Sequence, residues 1–320
     1  MAIERITITS EEQWLELRKQ DVTASVVGAL AGDHPYVTIY RLNAEKRGVE
    51  FPAPDRDNPI LRRGRWLEAA FPMAVRERRP DLELKPARIY VRDTDLRFGA
   101  TPDFFIGGDE RGMGVLQAKT VAPHIFARDW DHGREPPRWV VLQTLAEMLL
   151  TGAAFGMIAA IVVDPFNMDL YLHEIPRHPS AEARLQDLVR RFWDDVDAGR
   201  EPAADFTRDG ETISAMLNKS TAGKRFDATG NNALPEILAE RAKLMAEIKQ
   251  KEARCEAIEN EIQFMLGDAE AVTNLPGWTV SYKSSERAGY SVPTKVIRSL
   301  RIYDRRPEHE KPQGMGEAAE

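Results

Sequence analysis

The chain has 320 residues, of which 42% are hydrophobic, enough to bury one full core and still carry an appendage. A single cysteine, Cys255, excludes a disulfide framework and any four-cysteine zinc or iron-sulfur site, so a bound metal would need oxygen or nitrogen ligands. A formal net charge of -7 argues against a broad nucleic-acid surface, and the absence of a membrane-length apolar run or signal-peptide core predicts a cytoplasmic protein.

Ser10 followed by Gln13 is a capping-box pattern and predicts a short helix over 11–19. Thr23, Ala24 and Ser25 precede the apolar run 26–30 and Gly32, which predicts a second helix with Ser25 as its cap; such a helix start also suits an anionic phosphate. Residues 61–79 are helical by pattern, and Pro72 falls where its ring clashes with the Glu68 carbonyl, so a kink at Glu68 is expected. From Pro59 to Arg97 ten basic residues stand against six acidic ones. Either a confined cationic groove or a solvated helix face accounts for this local excess.

The next segment is the most informative. Thr101-Pro102-Asp103-Phe104-Phe105-Ile106, a glycine-containing break and then Gly114-Val115-Leu116-Gln117-Ala118-Lys119-Thr120 read as a β-hairpin. Strand side chains alternate, so Gln117 and Lys119 share one face. A buried lysine beside a carboxylate is costly unless it is paired or serves a reaction. Asp103, the Gln117 carbonyl and a backbone carbonyl converging there would offer oxygen ligands to a hard divalent cation, with Lys119 beside a water. Residues 124–137, with His124 and His132, read as a mobile loop near this site, and the six histidines show no zinc spacing with cysteine.

Residues 138–151 are apolar almost all round, which predicts a buried helix whose polar members Gln143 and Glu147, four apart, look into a polar site. The β-branched run 157–163, the turn 164–167 and the run 170–175 form a second hairpin, followed by an amphipathic helix over 180–197. This order indicates an α/β layer domain. Residues 203–232 are polar and read as a linker, and 234–266 show a heptad-like seam with Arg241 and Lys251 at two of its positions. A coiled coil, a helix packed on a partner and a folded-back helix all satisfy that pattern. Residues 271–290 resemble a hairpin, and the tail from Arg305 is expected to be disordered.

In their order and spacing, these segments resemble the YqaJ-type viral recombinase family, relatives of the phage lambda exonuclease within the PD-(D/E)xK nuclease fold. The resemblance spans roughly residues 14–203. It is carried by Arg18 with Thr23-Ala24-Ser25, Gly64 with Glu68, Gly99-Ala100-Thr101-Pro102-Asp103, Leu116-Gln117-Ala118-Lys119, Gln143 with Met148 and Thr151-Gly152, and Phe192-Trp193 with Gly199 and Pro202. It implies a restriction-endonuclease-like α/β core, a central mixed sheet flanked by helices, over residues 1–205. A linker over 206–233, a long helix with a hairpin over 234–304 and the tail 305–320 complete the expected organisation.

By that resemblance Glu68, Asp103, Gln117 and the Ala118 carbonyl surround a Mg²⁺ ion, replaceable by Mn²⁺, and Lys119 positions the attacking water. Gln143 steadies the site or a phosphate, and Arg18 and Ser25 lie near the 5'-terminal phosphate of the trimmed strand. The implied activity is 5' to 3' exonuclease digestion of linear double-stranded DNA, often by a toroidal trimer that delivers single strands to a single-strand annealing protein, in a phage or prophage setting. One departure stands out: family members more often carry Glu where this chain has Gln117. Glu147 is a candidate compensator. The alternative is a weak or inactive DNA-end-binding module that recruits a partner through 234–266.

Overall fold

Each element begins where the local chemistry directs it. The computed structural model describes residues 2–52 and 58–284. Strand β1 (Ile3–Thr7) precedes α1 (Glu11–Gln20), where the Ser10 side chain accepts the Gln13 amide at 3.2 Å as the capping pattern predicts. A two-residue strand, β2 (Val22–Thr23), leads into a 3-10 helix (Ala24–Ala31) closed by Gly32 at a φ of 76°. Here the expectation for Ser25 fails. The N-cap is Thr23, without a side-chain capping bond, because the Ser25 hydroxyl is taken by the Arg18 guanidinium at 3.1 Å and by the Thr23 hydroxyl at 3.0 Å.

After α2 (Ile39–Lys46), the predicted kink appears as a break between α3 (Pro59–Glu68) and α4 (Phe71–Arg78), the latter with proline in its first turn. The break leaves Glu68 at the end of α3. Strands β3 (Glu83–Pro86), β4 (Ile89–Asp93), β5 (Phe98–Ala100), β6 (Phe104–Gly107) and β7 (Gly114–Val121) follow. Residues 124–137 are not a plain loop: α5 (Pro123–Asp129) and a short 3-10 turn (Asp131–Gly133) occupy most of them. Pro123 starts α5, and Phe126 and Trp130, four apart on one face, bury themselves, with Phe126 at 4.4 Å from the Tyr171 ring.

Helix α6 (Arg138–Thr151) is buried along most of its length and ends at Gly152, followed by the hairpin of β8 (Phe155–Val163) and β9 (Met168–Pro176) and by α7 (Pro179–Asp197). The stretch read as a linker contains α8 (Gly210–Met216). The described residues divide into two compact units, one ending at Leu217 and the other beginning at Asn218. In the second unit α9 (Ala233–Leu266) spans 34 residues and leaves Ile237, Leu244 and Ile248 exposed. Over residues 271–284 the expected hairpin is reduced to an isolated bridge between Ala271 and Ser281, with no strand formed; residues 285–290 of that hairpin and the expected tail 305–320 lie outside the described residues.

Two sheets organise the first unit. One has the order β1-β4-β5-β2 and the other β3-β6-β7-β8-β9. In the larger sheet β7 and β8 run parallel, with Gln117 opposite Ile158 and Lys119 opposite Ala160, and the remaining neighbours are antiparallel. The α6 crossover supplies the parallel connection. Alternation along β7 separates two cores: Val115 and Val121 pack with Ile158, Met148 and Leu145 on one side, while Leu116 packs with Phe71, Val75 and Met157 on the other. The larger sheet is covered on both faces, which fits the apolar character of β8.

In the smaller sheet, Asp21 is fully buried at the end of α1. It accepts the Tyr90 hydroxyl at 3.0 Å and the Arg92 guanidinium at 2.7 Å. The ring of Tyr90 lies where a β-carbon on Gly99 would come within 2.0 Å of its oxygen, so glycine is required there. This network fixes the end of the helix that carries Arg18.

Candidate functional site

Asp103 stands in the turn ahead of β6, and its Oδ2 accepts the backbone N–H of Ala118 at 2.8 Å. Strand pairing therefore brings its carboxylate to the flank of Gln117. Glu68, Asp103 and Ala118 line one cavity of about 140 Å³ together with Gly64, Phe71 and Thr120. Burial pushes the Asp103 carboxyl up to about 6; the Ala118 N–H and the Lys119 ammonium oppose this, and the Glu68 carboxylate adds to it.

On the other face of β7, a chain of side-chain hydrogen bonds has a fixed direction. Lys119 can only donate, and its Nζ gives a hydrogen bond to Gln143 Oε1 at 3.0 Å. That contact turns the Gln143 amide nitrogen the other way, where it donates to Gln117 Oε1 at 2.5 Å and to Glu147 Oε1 at 3.1 Å. With its oxygen occupied, Gln117 points its own nitrogen at Asp103 Oδ2, 2.6 Å away, and at the Ala118 carbonyl, 3.3 Å away. Gln117, Gln143 and Glu147 are all buried.

Charge follows from this burial. Desolvation lowers the Lys119 pKa, against the pull of Asp103 and Glu147. Desolvation first, and Asp103 second, raise the Glu147 carboxyl well above the ordinary range, against the Gln143 hydrogen bond and the Lys119 charge. Its Oε2 is buried with no hydrogen-bond partner among the described residues. Gln143 is the hub of the network. Replacing Gln143 with Leu should lower stability by about 2–4 kcal/mol, because it orphans Lys119, Gln117 and Glu147 together, as urea denaturation would report.

The structure thus brings Glu68, Asp103, Ala118, Gln117, Lys119 and Gln143 into one region. Arg18 and Ser25 form a separate pair, connected to it through Trp14: the Arg18 guanidinium lies 4.5 Å over the Trp14 ring, and Trp14 Nε1 donates to Thr101 Oγ1 at 3.0 Å. Trp14 and Trp139, whose ring centre is 5.0 Å from Lys119 Nζ, do not stand out in the sequence, and Thr101 does so only as part of the segment that leads to Asp103. The four-residue spacing of Trp14 and Arg18 and the position of Thr101 two residues before Asp103 are the signals it carries for them.

The donor set does not suit a divalent cation as it stands. Two of the oxygens expected to ligate it, Asp103 Oδ2 and the Ala118 carbonyl, already receive the amide hydrogens of Gln117, and the Gln117 oxygen faces Gln143. Among the described residues, no group of three or more His, Cys, Asp or Glu could hold a metal ion.

Residues 13–154 match the YqaJ-like viral recombinase domain. The chain carries a YqaJ-like domain. Its core, a mixed α/β arrangement in which β6, β7, α6 and β8 succeed one another with β7 and β8 parallel, is consistent with the expected PD-(D/E)xK-like fold. Among solved structures, the chain is similar to an alkaline exonuclease, LHK-Exo, from Laribacter hongkongensis, at 20% identity over 59% of this chain and 93% of that one, with a TM-score of 0.46. It is also similar to a phage related exonuclease from Haemophilus somnus 129PT, at 11% identity over 56% of this chain and 96% of that one, with a TM-score of 0.37. A comparison with curated proteins finds no match. No helix among the described residues is long and apolar enough to cross a membrane.

Proposed function

We propose that the YqaJ-like domain is a nuclease-fold module that holds DNA ends and hydrolyses them weakly or not at all. The observation that carries this reading is the orientation of Gln117, whose amide nitrogen sits on Asp103 Oδ2 at 2.6 Å where an acidic side chain would leave that oxygen for a cation. The amide gives the half-buried carboxylate a hydrogen-bonded partner without any ion. Arg18 and Ser25, joined at 3.1 Å, are the groups that would receive a terminal phosphate. The exposed apolar residues of α9 would recruit a partner such as a single-strand annealing protein.

A second reading has one specific observation in its favour: Glu68, Asp103 and Ala118 share a cavity. On that reading the chain is a Mg²⁺-dependent deoxyribonuclease, with Mn²⁺ as substitute, that trims linear duplex from the 5' end, assembles as a trimer and serves phage-type recombination in the cytoplasm of a bacterial host. Linear duplexes with 5'-phosphate or 5'-hydroxyl ends and a circular duplex, each with and without Mg²⁺ or Mn²⁺, separate the two. End binding that prefers the 5'-phosphate and leaves the linear DNA largely intact is expected. Rapid Mg²⁺-dependent loss of the linear duplexes would establish the second reading, and no binding to any duplex would defeat both.

A further inference from the structure

Beyond Lys119 a row of aromatic rings crosses the first unit and ends at a cavity of about 270 Å³. Trp139, over which Lys119 sits, meets the His34 ring at 5.4 Å, and His34 meets Tyr36 edge to face at 6.0 Å. His34 is a fixed, uncharged support. Its Nδ1 accepts the backbone N–H groups of Tyr36 at 3.2 Å and Val37 at 2.9 Å, and burial pushes the imidazole down to about 4, against a hydrogen bond with the Ser25 backbone.

Tyr36 is the reverse case. Its backbone is pinned, yet the residue is 78% exposed and forms a wall of the cavity. Arg208 Nη2 donates to the His34 carbonyl at 2.6 Å, which fixes a guanidinium beside this ring. Arg41 lies 4.4 Å over the Phe51 ring, and its 3.6 Å contact is to Glu211, a side chain 92% exposed, a pairing that solvent weakens. The other acid, Asp209, is already committed to the Thr38 hydroxyl and to the Asp205 N–H. One stackable ring beside two oriented guanidiniums matches a nucleotide, with its base on the ring and its phosphate on the forks.

We propose that this cavity is a nucleotide subsite for the single-stranded part of a DNA end, with the base against Tyr36 and the phosphate between Arg41 and Arg208. It deepens, and rests on, the reading of the chain as a DNA-end-binding module. The test measures binding of the full chain, by fluorescence anisotropy, to a blunt duplex and to duplexes with an overhang of about six nucleotides. Tyr36→Ala and Arg208→Gln should each weaken overhang binding about tenfold and leave blunt-end binding unchanged, while Tyr36→Trp retains it. With 2-aminopurine placed along the overhang, one position should be quenched in the wild type and not in Tyr36→Ala.

Wild-type affinity for the overhang in both loss variants, or an equal loss on blunt and overhanging duplexes, would overturn the subsite while leaving end binding in place. Failure of the wild-type chain to bind either duplex would remove the end-binding reading itself.

Discussion

Gln117→Glu is expected to turn the YqaJ-like centre into a cation site. The glutamine nitrogen now donates to Asp103 Oδ2 at 2.6 Å, and a carboxylate there could donate nothing. Two acids would then face one another at hydrogen-bond range beside Glu68, which already raises the Asp103 pKa. Like charges so close either share a proton or admit a cation. Without divalent metal the variant should therefore be less stable than the wild type, by about 1–3 kcal/mol. Mn²⁺ or Mg²⁺ at about 100 times its dissociation constant should return about 2.7 kcal/mol through preferential binding to the folded state. A thermal melt with and without Mn²⁺ reads this directly: the midpoint of the variant rises with metal and that of the wild type stays put. Cleavage of linear duplex DNA should increase at least about tenfold with the same metal. A wild-type midpoint that responds to Mn²⁺ as strongly as that of the variant would mean that the amide does not block the site.

Much of this centre is legible in the sequence, for reasons that lie in short-range geometry. Alternation along 114–120 puts Gln117 and Lys119 on one face, and the four-residue spacing of Gln143 and Glu147 aligns them on α6; the two pairs meet because β7 and β8 are joined by that helix. The kink near Glu68 follows from a single proline. The direction of the hydrogen-bond chain is not legible. Which end of the Gln117 amide faces Asp103 depends on Lys119 being donor-only and on Gln143 being reached from both sides, and no local pattern encodes that. Ser25 reads as a cap because its actual partner, Arg18, sits on another helix. The row from Trp139 to Tyr36 is invisible for the same reason. It joins residues about 100 positions apart, and the close approach of α6 to the 3-10 helix depends on Gly28, where a β-carbon would come within 3.0 Å of Trp139 Cβ. The readable parts are those with a period, and the missed parts are contacts between elements.

Asp103→Asn is expected to stabilise the fold while removing the carboxylate on which any cation chemistry would depend. Burial raises the Asp103 carboxyl from 3.8 to about 6, so the folded chain holds this proton more tightly than the unfolded chain does. Between about pH 4 and pH 6 the folded state therefore binds more protons, and stability falls as pH rises through that window. Above it, keeping the ionised group in the cavity wall costs about 2 kcal/mol, somewhat less than the full shift because the residue is partly exposed. Asparagine has no proton to lose and can still accept the Ala118 N–H that Oδ2 accepts at 2.8 Å. Urea denaturation at intervals from about pH 4 to pH 8 should show the variant and the wild type equal near pH 4. They should diverge through about pH 6, with the variant ahead by about 2 kcal/mol at pH 7. A pH-independent difference would show that the Asp103 carboxyl titrates as freely as in the unfolded chain. The same substitution placed in the Gln117→Glu background should abolish the Mn²⁺-dependent rise in melting midpoint, because the cation would keep only one of the two facing carboxylates. Retention of that rise would move the ion away from Asp103, toward Glu68 and the cavity mouth. The carboxylate that makes this pocket worth occupying is thus also a group that the fold holds at a loss, a pattern common to sites shaped by binding rather than by stability.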